Sequence, residues 1–135
     1  MKIVITGGAG FLGQRLAARL LERGEAVDSE GKTRDISELV LFDIAPEVPL
    51  ADPRLSYISG DITNPEKVRA LIDEKTSSIF HLAAVVSAQA EEDFDLGYRI
   101  NLDGTRQVLE AARALPHLPK VIFTSSIATY GGTLP

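Results

Sequence analysis

The chain has 135 residues, which is the size of one domain and shorter than a bilobed enzyme normally is. Apolar residues make up 44% and charged residues 24%, the balance of an ordinary globular protein. The net charge of -5, without a lysine or arginine run, argues against nucleic acid as a partner, and the absence of cysteine excludes disulfides and thiolate metal sites.

The first residues predict a strand, a tight turn and a helix. Lys2 to Thr6 form a short apolar run closed by glycines, which is typical of a buried strand. Leucines recur at helical spacing from Phe11 to Glu22, and Gly24 stands where a helix would end. The opening apolar run is too short for a signal peptide, and no later run reaches membrane-spanning length, so we expect a cytoplasmic protein with no membrane partner.

The middle of the chain predicts two further strands and a helix after a polar insert. Residues 25–38 are polar and lack a clear period, so we interpret them as a mobile loop. Residues 39–43 and 55–59 have strand-like composition, with a proline-containing loop between them. A helix is expected from Pro65 to about Glu74, because Thr63 or Asn64 can cap it and proline is favoured at the first helical position.

The last third of the chain predicts a strand at residues 78–82, the longest helix and a fifth strand. Apolar residues at alternating steps of four and three favour one helix from about Glu91 to Leu115. Residues 120–125 predict the fifth strand. Apolar strands that alternate with helices indicate a doubly wound α/β fold, a parallel sheet covered on both faces and incomplete after the fifth strand. Ligands of such folds bind at the carboxyl ends of the strands.

The turn after the first strand, TGGAGFLG, is rich in glycine. Gly7, Gly10 and Gly13 are evenly spaced, and Gly8 with the last two also satisfies the G-x-G-x-x-G pattern. One glycine permits a tight turn, one lets the backbone approach a pyrophosphate, and one lets helix and strand pack closely. Free N–H groups at the start of the following helix favour phosphate. We therefore predict a dinucleotide-binding Rossmann fold, with a ligand-free glycine turn as the other interpretation.

An acidic residue is expected at the end of the second strand, where it would bind the ribose hydroxyls of the dinucleotide. Asp35 is near the usual spacing but lies in the polar insert, whereas Asp43 directly follows the strand, so we choose Asp43. The other interpretation is a solvated residue that ends a strand. A carboxylate here repels the 2′-phosphate of NADP, and Ile44 and its neighbours offer no cation, so NAD is favoured.

Two later strand ends add candidate contacts. Asp61 and Ile62 follow the third strand, where an adenine could rest against them, although an Asp turn explains the carboxylate equally well. Ala83 and Ala84 follow the fourth strand and leave room for the cofactor, unless they are simply small core residues. His81 is expected to be a core histidine whose ring nitrogen has a hydrogen-bond partner. The other histidine, His117, is remote in sequence, so we propose no metal site.

The motifs TGGAGFLG, FDI, GDIT, FHLAA and FTSSIATYGG, with Asn101, resemble successive landmarks of the extended short-chain dehydrogenases/reductases, the superfamily of NAD-dependent epimerases and dehydratases. AEEDFDLGYRINLD together with TSSIATYGG is similar to the D-erythronate dehydrogenase branch, which oxidises a four-carbon sugar acid with NAD. The resemblance implies that Ser126 binds the reacting alcohol, or Ser125 in its place. The non-functional interpretation is that these hydroxyls only cap the end of the fifth strand. The resemblance also implies cofactor contacts at Phe11, Leu12, Leu82, Asn101 and Thr124.

The superfamily uses a Tyr-x-x-x-Lys pair as its base, and none of the three tyrosines of this sequence begins such a pair. We therefore expect residues 1–135 to be the NAD-binding part of a longer protein and to be inactive alone. Three functions stay open: an NAD-dependent dehydrogenase of a sugar acid or sugar alcohol, a nucleotide-sugar epimerase or dehydratase, and a non-catalytic dinucleotide-binding module. The resemblance further implies a homodimer built partly from the longest helix.

Overall fold

The structure is a computed structural model that describes residues 1–45 and 51–130, so part of the proline-containing loop and the glycines after Tyr130 lie outside the described residues. The strands are β1 (Lys2–Thr6), β2 (Glu25–Val27), β3 (Thr33–Asp35), β4 (Glu38–Asp43), β5 (Leu55–Ser59), β6 (Thr76–His81) and β7 (Lys120–Phe123). The helices are α1 (Phe11–Arg23), α2 (Pro65–Leu71), α3 (Ser87–Glu92), α4 (Phe94–Tyr98), a π-helix (Arg99–Gly104), α5 (Thr105–Arg113) and a 3-10 helix (Ile127–Tyr130). Within these ranges no helix has the length and apolar character needed to cross a bilayer.

Five strands form a parallel sheet in the order β5-β4-β1-β6-β7. The direction of strand addition reverses between β1 and β6, so the carboxyl ends of these neighbours form the switch point of a doubly wound fold. The predicted α/β fold is confirmed, with β1 and β5 at their predicted bounds. Because the strands are parallel, the segments that follow them meet at one edge of the sheet.

The core lies on both faces of the sheet, because successive side chains of a strand point to opposite sides. Ile3 and Ile5 of β1 pack with Ala17 of α1 on one face, and all three are fully buried. Val4 packs with Val108 of α5 on the other face. Burial of β1 on both faces fixes the position of the turn that follows it.

The polar insert is a β-hairpin and not the predicted loop, because β2 pairs with β3 in antiparallel register. The buried Asp28 carboxylate accepts hydrogen bonds from two backbone N–H groups of the turn and from Nε of Arg34 at 2.5 Å. The Arg34 guanidinium and these backbone donors lower the pKa of Asp28 to about 2. The sequence of this hairpin shows no apolar periodicity, because hydrogen bonds to the Asp28 carboxylate, and not an apolar face, stabilise it. Lys120 Nζ donates to the Val27 carbonyl at 3.2 Å, which places the hairpin at the amino edge of the sheet.

The predicted helix over residues 91–115 is interrupted. Asp93 ends α3 and begins α4, where its carboxylate accepts a hydrogen bond from the Leu96 N–H at 2.9 Å. Helix α4 continues through the π-helix into α5. Such a side-chain cap competes with the helical backbone pattern, and apolar spacing does not reveal it.

Three smaller differences concern the ends of elements. Helix α2 ends at Leu71 rather than at Glu74. The buried Lys2 ammonium donates hydrogen bonds to the Leu71 carbonyl at 2.9 Å and to the Asp73 carboxylate at 2.7 Å, so the helical hydrogen-bond pattern stops there. Strand β6 spans Thr76–His81 rather than residues 78–82, and β7 ends at Phe123 rather than residue 125. The hydroxyl-bearing residues 124–126 therefore lie beyond the end of β7, at the edge of the sheet where ligands bind.

Candidate functional site

The glycine-rich turn joins β1 to α1 at the switch point. Gly7 has a φ of 71°, a left-handed conformation that favours glycine, and a Cβ there would lie 2.7 Å from the Ala83 backbone nitrogen. A Cβ on Gly13 would lie 2.4 Å from the Gly7 carbonyl oxygen, so only glycine lets α1 start this close to β1. The two positions therefore provide the tight turn and the close helix packing that the pattern requires.

The N-terminus of α1 is open and uncapped. Gly10 occupies the N-cap without a side-chain hydrogen bond, and the first turn of α1 holds no acidic residue that would compete for its N–H groups. A Cβ on Gly10 would meet only the Gly7 carbonyl oxygen, at 3.2 Å. Phe11 and Leu12 are 69% and 61% exposed beside this opening, and neither lines a described cavity. The helix end therefore fits an anionic group such as a pyrophosphate.

Asp43 ends β4 directly beside the turn. Its Oδ2 accepts a hydrogen bond from the Ala9 N–H at 2.9 Å, and its Oδ1 accepts one from the Ala45 N–H at 3.0 Å. Each carboxylate oxygen keeps a further lone pair with which it could accept a hydroxyl proton. Asp35, the other candidate in the sequence, ends β3 of the hairpin. The structure thus places Asp43, and not Asp35, at the glycine-rich turn.

Asp61 and Ile62 follow β5 and have mixed roles. Asp61 Oδ1 accepts hydrogen bonds from both the N–H and the hydroxyl of Thr63, each at 2.8 Å, which forms an Asp turn. Ile62 is only 5% exposed and belongs to the core. It packs on Gly104, where a Cβ would lie 2.8 Å from Ile62 Cγ2. Both residues nevertheless line a cavity, so the turn and the predicted ligand contact are compatible.

This cavity has a volume of about 250 Å³ and opens at the carboxyl edge of the sheet. It brings together nine of the residues singled out in the sequence, namely Gly7, Gly10, Asp43, Ile44, Asp61, Ile62, Leu82, Ala83 and Ala84. Its other lining residues, which sequence reasoning missed, are Phe42, Gly60, Val85 and Ile100. Phe42 and Gly60 belong to the FDI and GDIT motifs and could have been included, whereas Val85 and Ile100 carry no local signal.

Residues 83–85, here called the dividing segment, separate this cavity from a second one of about 590 Å³ and line both. At one end the Ala83 N–H donates to Thr6 Oγ1 at 3.3 Å. At the other end Asn101 Nδ2 donates to the Val85 carbonyl at 3.0 Å, and its Oδ1 accepts from the Val85 N–H at 2.8 Å. Asn101, a predicted cofactor contact, therefore uses its amide to hold the wall between the cavities.

The second cavity carries a cluster of hydroxyl groups. Thr124, Ser125 and Ser126, which follow β7, line it together with Asn101 and Thr105. Ser126, predicted to bind the reacting alcohol, and its fallback Ser125 thus face the same space, and all three residues after β7 are exposed. Thr105 was missed because nothing distinguishes it in sequence from an ordinary helix residue.

His81 lies at the end of β6, directly before the dividing segment, and is 1% exposed. Its Nδ1 is 2.6 Å from Thr6 Oγ1, and its Nε2 is 2.9 Å from Thr105 Oγ1. Burial lowers the pKa of the imidazole to about 4, so the ring is neutral at neutral pH. His81 is thus the core histidine that the sequence suggested. Over residues 1–45 and 51–130 no cluster of three or more histidines and carboxylates could hold a metal ion.

Residues 3–135 match the model of the NAD dependent epimerase/dehydratase family. The chain belongs to that family. It is 51% identical over 135 residues to the D-erythronate dehydrogenase of Cupriavidus necator, an alignment that covers 100% of this chain and 41% of the relative. The family predicted from the motifs is therefore confirmed, and the chain spans about two fifths of the length of this relative.

Solved structures show the same relationship. The nucleoside-diphosphate-sugar epimerase of Agrobacterium tumefaciens has a TM-score of 0.85 and 40% identity, covering 100% of this chain and 40% of that one. A mutant uronate dehydrogenase of Agrobacterium tumefaciens, solved in complex with NAD, has a TM-score of 0.72 and 27% identity, covering 93% and 40%. Both similarities therefore cover nearly the whole of this chain.

Proposed function

We propose that this chain is the NAD-binding part of an extended short-chain dehydrogenase. The observation that carries the proposal is the first cavity, which the uncapped N-terminus of α1, the Asp43 carboxylate and the Asp61 turn frame at the switch point of the sheet. These groups match the pyrophosphate, ribose and adenine of a dinucleotide in order along the edge. Bound NAD would accept a hydride from the substrate carbon.

The pyrophosphate, the adenosine ribose and the adenine of the cofactor each have candidate partners in the chain. Gly7, Gly10 and Gly13 would keep the backbone close to the pyrophosphate, while Asp43 would accept hydrogen bonds from the adenosine ribose. Ile62 offers an apolar surface for adenine, and Asp61 is an acceptor for its amino group. These groups bind and orient the cofactor, and they do not themselves move a proton in the reaction.

The charge around Asp43 favours NAD over NADP. The neighbouring Ile44 is 75% exposed and uncharged, and the Asp43 carboxylate would repel a 2′-phosphate. Calorimetric titration of the full-length protein with NAD and with NADP tests this proposal. Binding of NAD alone, or much more tightly than NADP, supports it, and equal affinity for the two would contradict it.

The second cavity is proposed to receive the substrate, a sugar acid or sugar alcohol such as D-erythronate. The Ser126 hydroxyl would bind the reacting alcohol, and Thr124 would lie between it and the cofactor. A Tyr-x-x-x-Lys pair, which is not found in these 135 residues, would take the alcohol proton, so we propose that residues 1–135 alone are inactive. The similarity to a D-erythronate dehydrogenase over the whole chain supports this substrate class.

A nucleotide-sugar epimerase is the second candidate, because a solved epimerase has a TM-score of 0.85 to this chain. Incubating the full-length protein with NAD and D-erythronate separates the two. Net formation of NADH, followed by its absorbance, supports the dehydrogenase. No NADH from the sugar acid, together with interconversion of a nucleotide sugar without net NADH, would establish the epimerase instead. NAD binding without either reaction would favour a non-catalytic module.

A homodimer and a cytoplasmic location complete the proposal. Phe94, Tyr98, Leu102 and Leu109 lie on α4, the π-helix and α5, and they are between 49% and 72% exposed. Pairing of this apolar face with a second copy would remove it from water. Light scattering of the wild-type protein and of a Tyr98→Glu variant tests the pairing.

The absence of cysteine suits a reducing compartment such as the cytoplasm.

A further inference from the structure

The buried ring of His81 connects the two ends of the dividing segment through two hydroxyl groups. Thr6 Oγ1, 2.6 Å from Nδ1, accepts the Ala83 N–H, which begins the segment. Thr105 Oγ1, 2.9 Å from Nε2, donates to the Asn101 carbonyl at 2.6 Å. Asn101 holds Val85, which ends the segment, with both groups of its amide. Both anchors of the wall between the cavities thus meet at one imidazole.

The direction of these hydrogen bonds follows from counting protons. Thr105 has one hydroxyl proton, which goes to the Asn101 carbonyl, so Thr105 Oγ1 accepts from His81 and Nε2 carries the ring proton. Nδ1 is then an acceptor. Thr6 Oγ1 accepts from Ala83 and donates its own proton to Nδ1. The network is complete only for the neutral ring with its proton on Nε2.

A charged ring would break this arrangement. Both nitrogens would then donate, and the Thr6 proton would lose its acceptor in a place where Thr6 is fully buried. The groups that face the ring from the packed elements are the hydroxyls of Thr6 and Thr105 and the ring of Phe123, whose centroid is 5.8 Å away. None of the three is charged, and burial holds the imidazole pKa low.

We propose that His81 is a positioning residue that, through Thr6 and Thr105, fixes the dividing segment between the cofactor cavity and the hydroxyl-lined cavity. The segment itself then presents its backbone to both cavities at once. The proposal goes beyond core packing, because it requires a particular tautomer and particular donors. It deepens the proposed function, and only its consequence for cofactor affinity rests on NAD binding.

The test compares Thr105→Val, which removes the hydroxyl, with Thr105→Ser, which keeps it, in the full-length protein without cofactor. Hydrogen–deuterium exchange followed by mass spectrometry reports the peptide covering residues 82–86, and the peptide covering residues 16–23 of α1, which packs on the opposite face of the sheet from α5, serves as the distant control. Thr105→Val removes the hydrogen bonds of the hydroxyl to His81 and to the Asn101 carbonyl, so we expect it to speed exchange of the first peptide by about five- to tenfold, and Thr105→Ser to restore it. The control peptide should not change.

A second readout uses the cofactor, and a third uses the ring. Well below the melting temperature, Thr105→Val should raise the NAD dissociation constant about five- to tenfold, with Thr105→Ser near wild type. Nitrogen NMR of the histidine rings should show His81 protonated at Nε2. Four results would each overturn the proposal: unchanged exchange at residues 82–86, equal acceleration in the α1 peptide, a proton on Nδ1 of His81, or an unchanged dissociation constant in a protein that binds NAD. A wild-type protein without NAD affinity would refute the proposed function, while the exchange data would still decide the role of His81.

Discussion

His81→Gln should remove a large part of the acid sensitivity of folding. The folded-state pKa of His81 is about 4, below its ordinary value of 6.5, because the ring is buried. As the pH falls below 6.5, the unfolded chain takes up a proton that the folded protein resists. The stability that depends on the neutral ring is therefore fully present above pH 6.5 and is lost progressively as the pH falls toward about 4. A glutamine does not titrate and lacks this loss.

The magnitude follows from the two pKa values. A shift of one pKa unit corresponds to about 1.4 kcal/mol, so the wild-type free energy of unfolding should decrease by about 2.5 kcal/mol between about pH 7.5 and about pH 4.5 from this residue alone. The variant should be less stable than wild type at the upper pH, because Thr6 and Thr105 lose their partner. The two stabilities should therefore converge on acidification.

Urea unfolding of the full-length protein, followed by circular dichroism at several pH values, measures this convergence. The difference between wild type and His81→Gln cancels the titration of groups that both proteins share. NMR of the imidazole, identified by its disappearance in the variant, gives the folded-state pKa directly. Parallel pH profiles for the two proteins, or a His81 resonance that titrates near 6.5, would refute the reasoning.

Five further substitutions, grouped in three tests, probe the glycine-rich turn, Asp43 and the packing of Ile62. Gly13→Ala should lower the free energy of unfolding by about 1–3 kcal/mol, since its Cβ would lie 2.4 Å from a backbone oxygen, whereas Gly10→Ala should fold normally and weaken NAD binding; equal stability of the two variants in urea would contradict this. Asp43→Asn should raise the NAD dissociation constant about tenfold and narrow the preference over NADP in calorimetric titrations, an expectation that fails if both affinities stay unchanged. Gly104→Ala should displace Ile62 and weaken NAD binding. Gly97→Ala, whose Cβ would lie 2.6 Å from Ala90 Cβ, should lower the free energy of unfolding without weakening NAD binding. The same NAD affinity in both variants would count against a role for Ile62.

Local patterns were sufficient for most of the fold. The bounds of β1 were predicted correctly because its five residues are all buried and the glycines end it sharply. The helix over residues 91–115 was predicted without its break, since the Asp93 cap and the π-helix depend on hydrogen bonds that apolar spacing does not encode. The hairpin after α1 was missed for the same reason, because the Asp28 carboxylate and not an apolar face holds it.

The sequence by itself determined the glycine-rich turn, the acidic residue after β4 and the order of the landmarks along the edge, because each depends on residues that are neighbours in the chain. Only the tertiary structure decided how these landmarks meet. Thr6 and His81 are 75 residues apart and share a hydrogen bond, and Asn101 reaches back 16 residues to Val85. Parallel strands bring such distant residues to one edge of the sheet, and the wall between the two cavities exists only after that assembly.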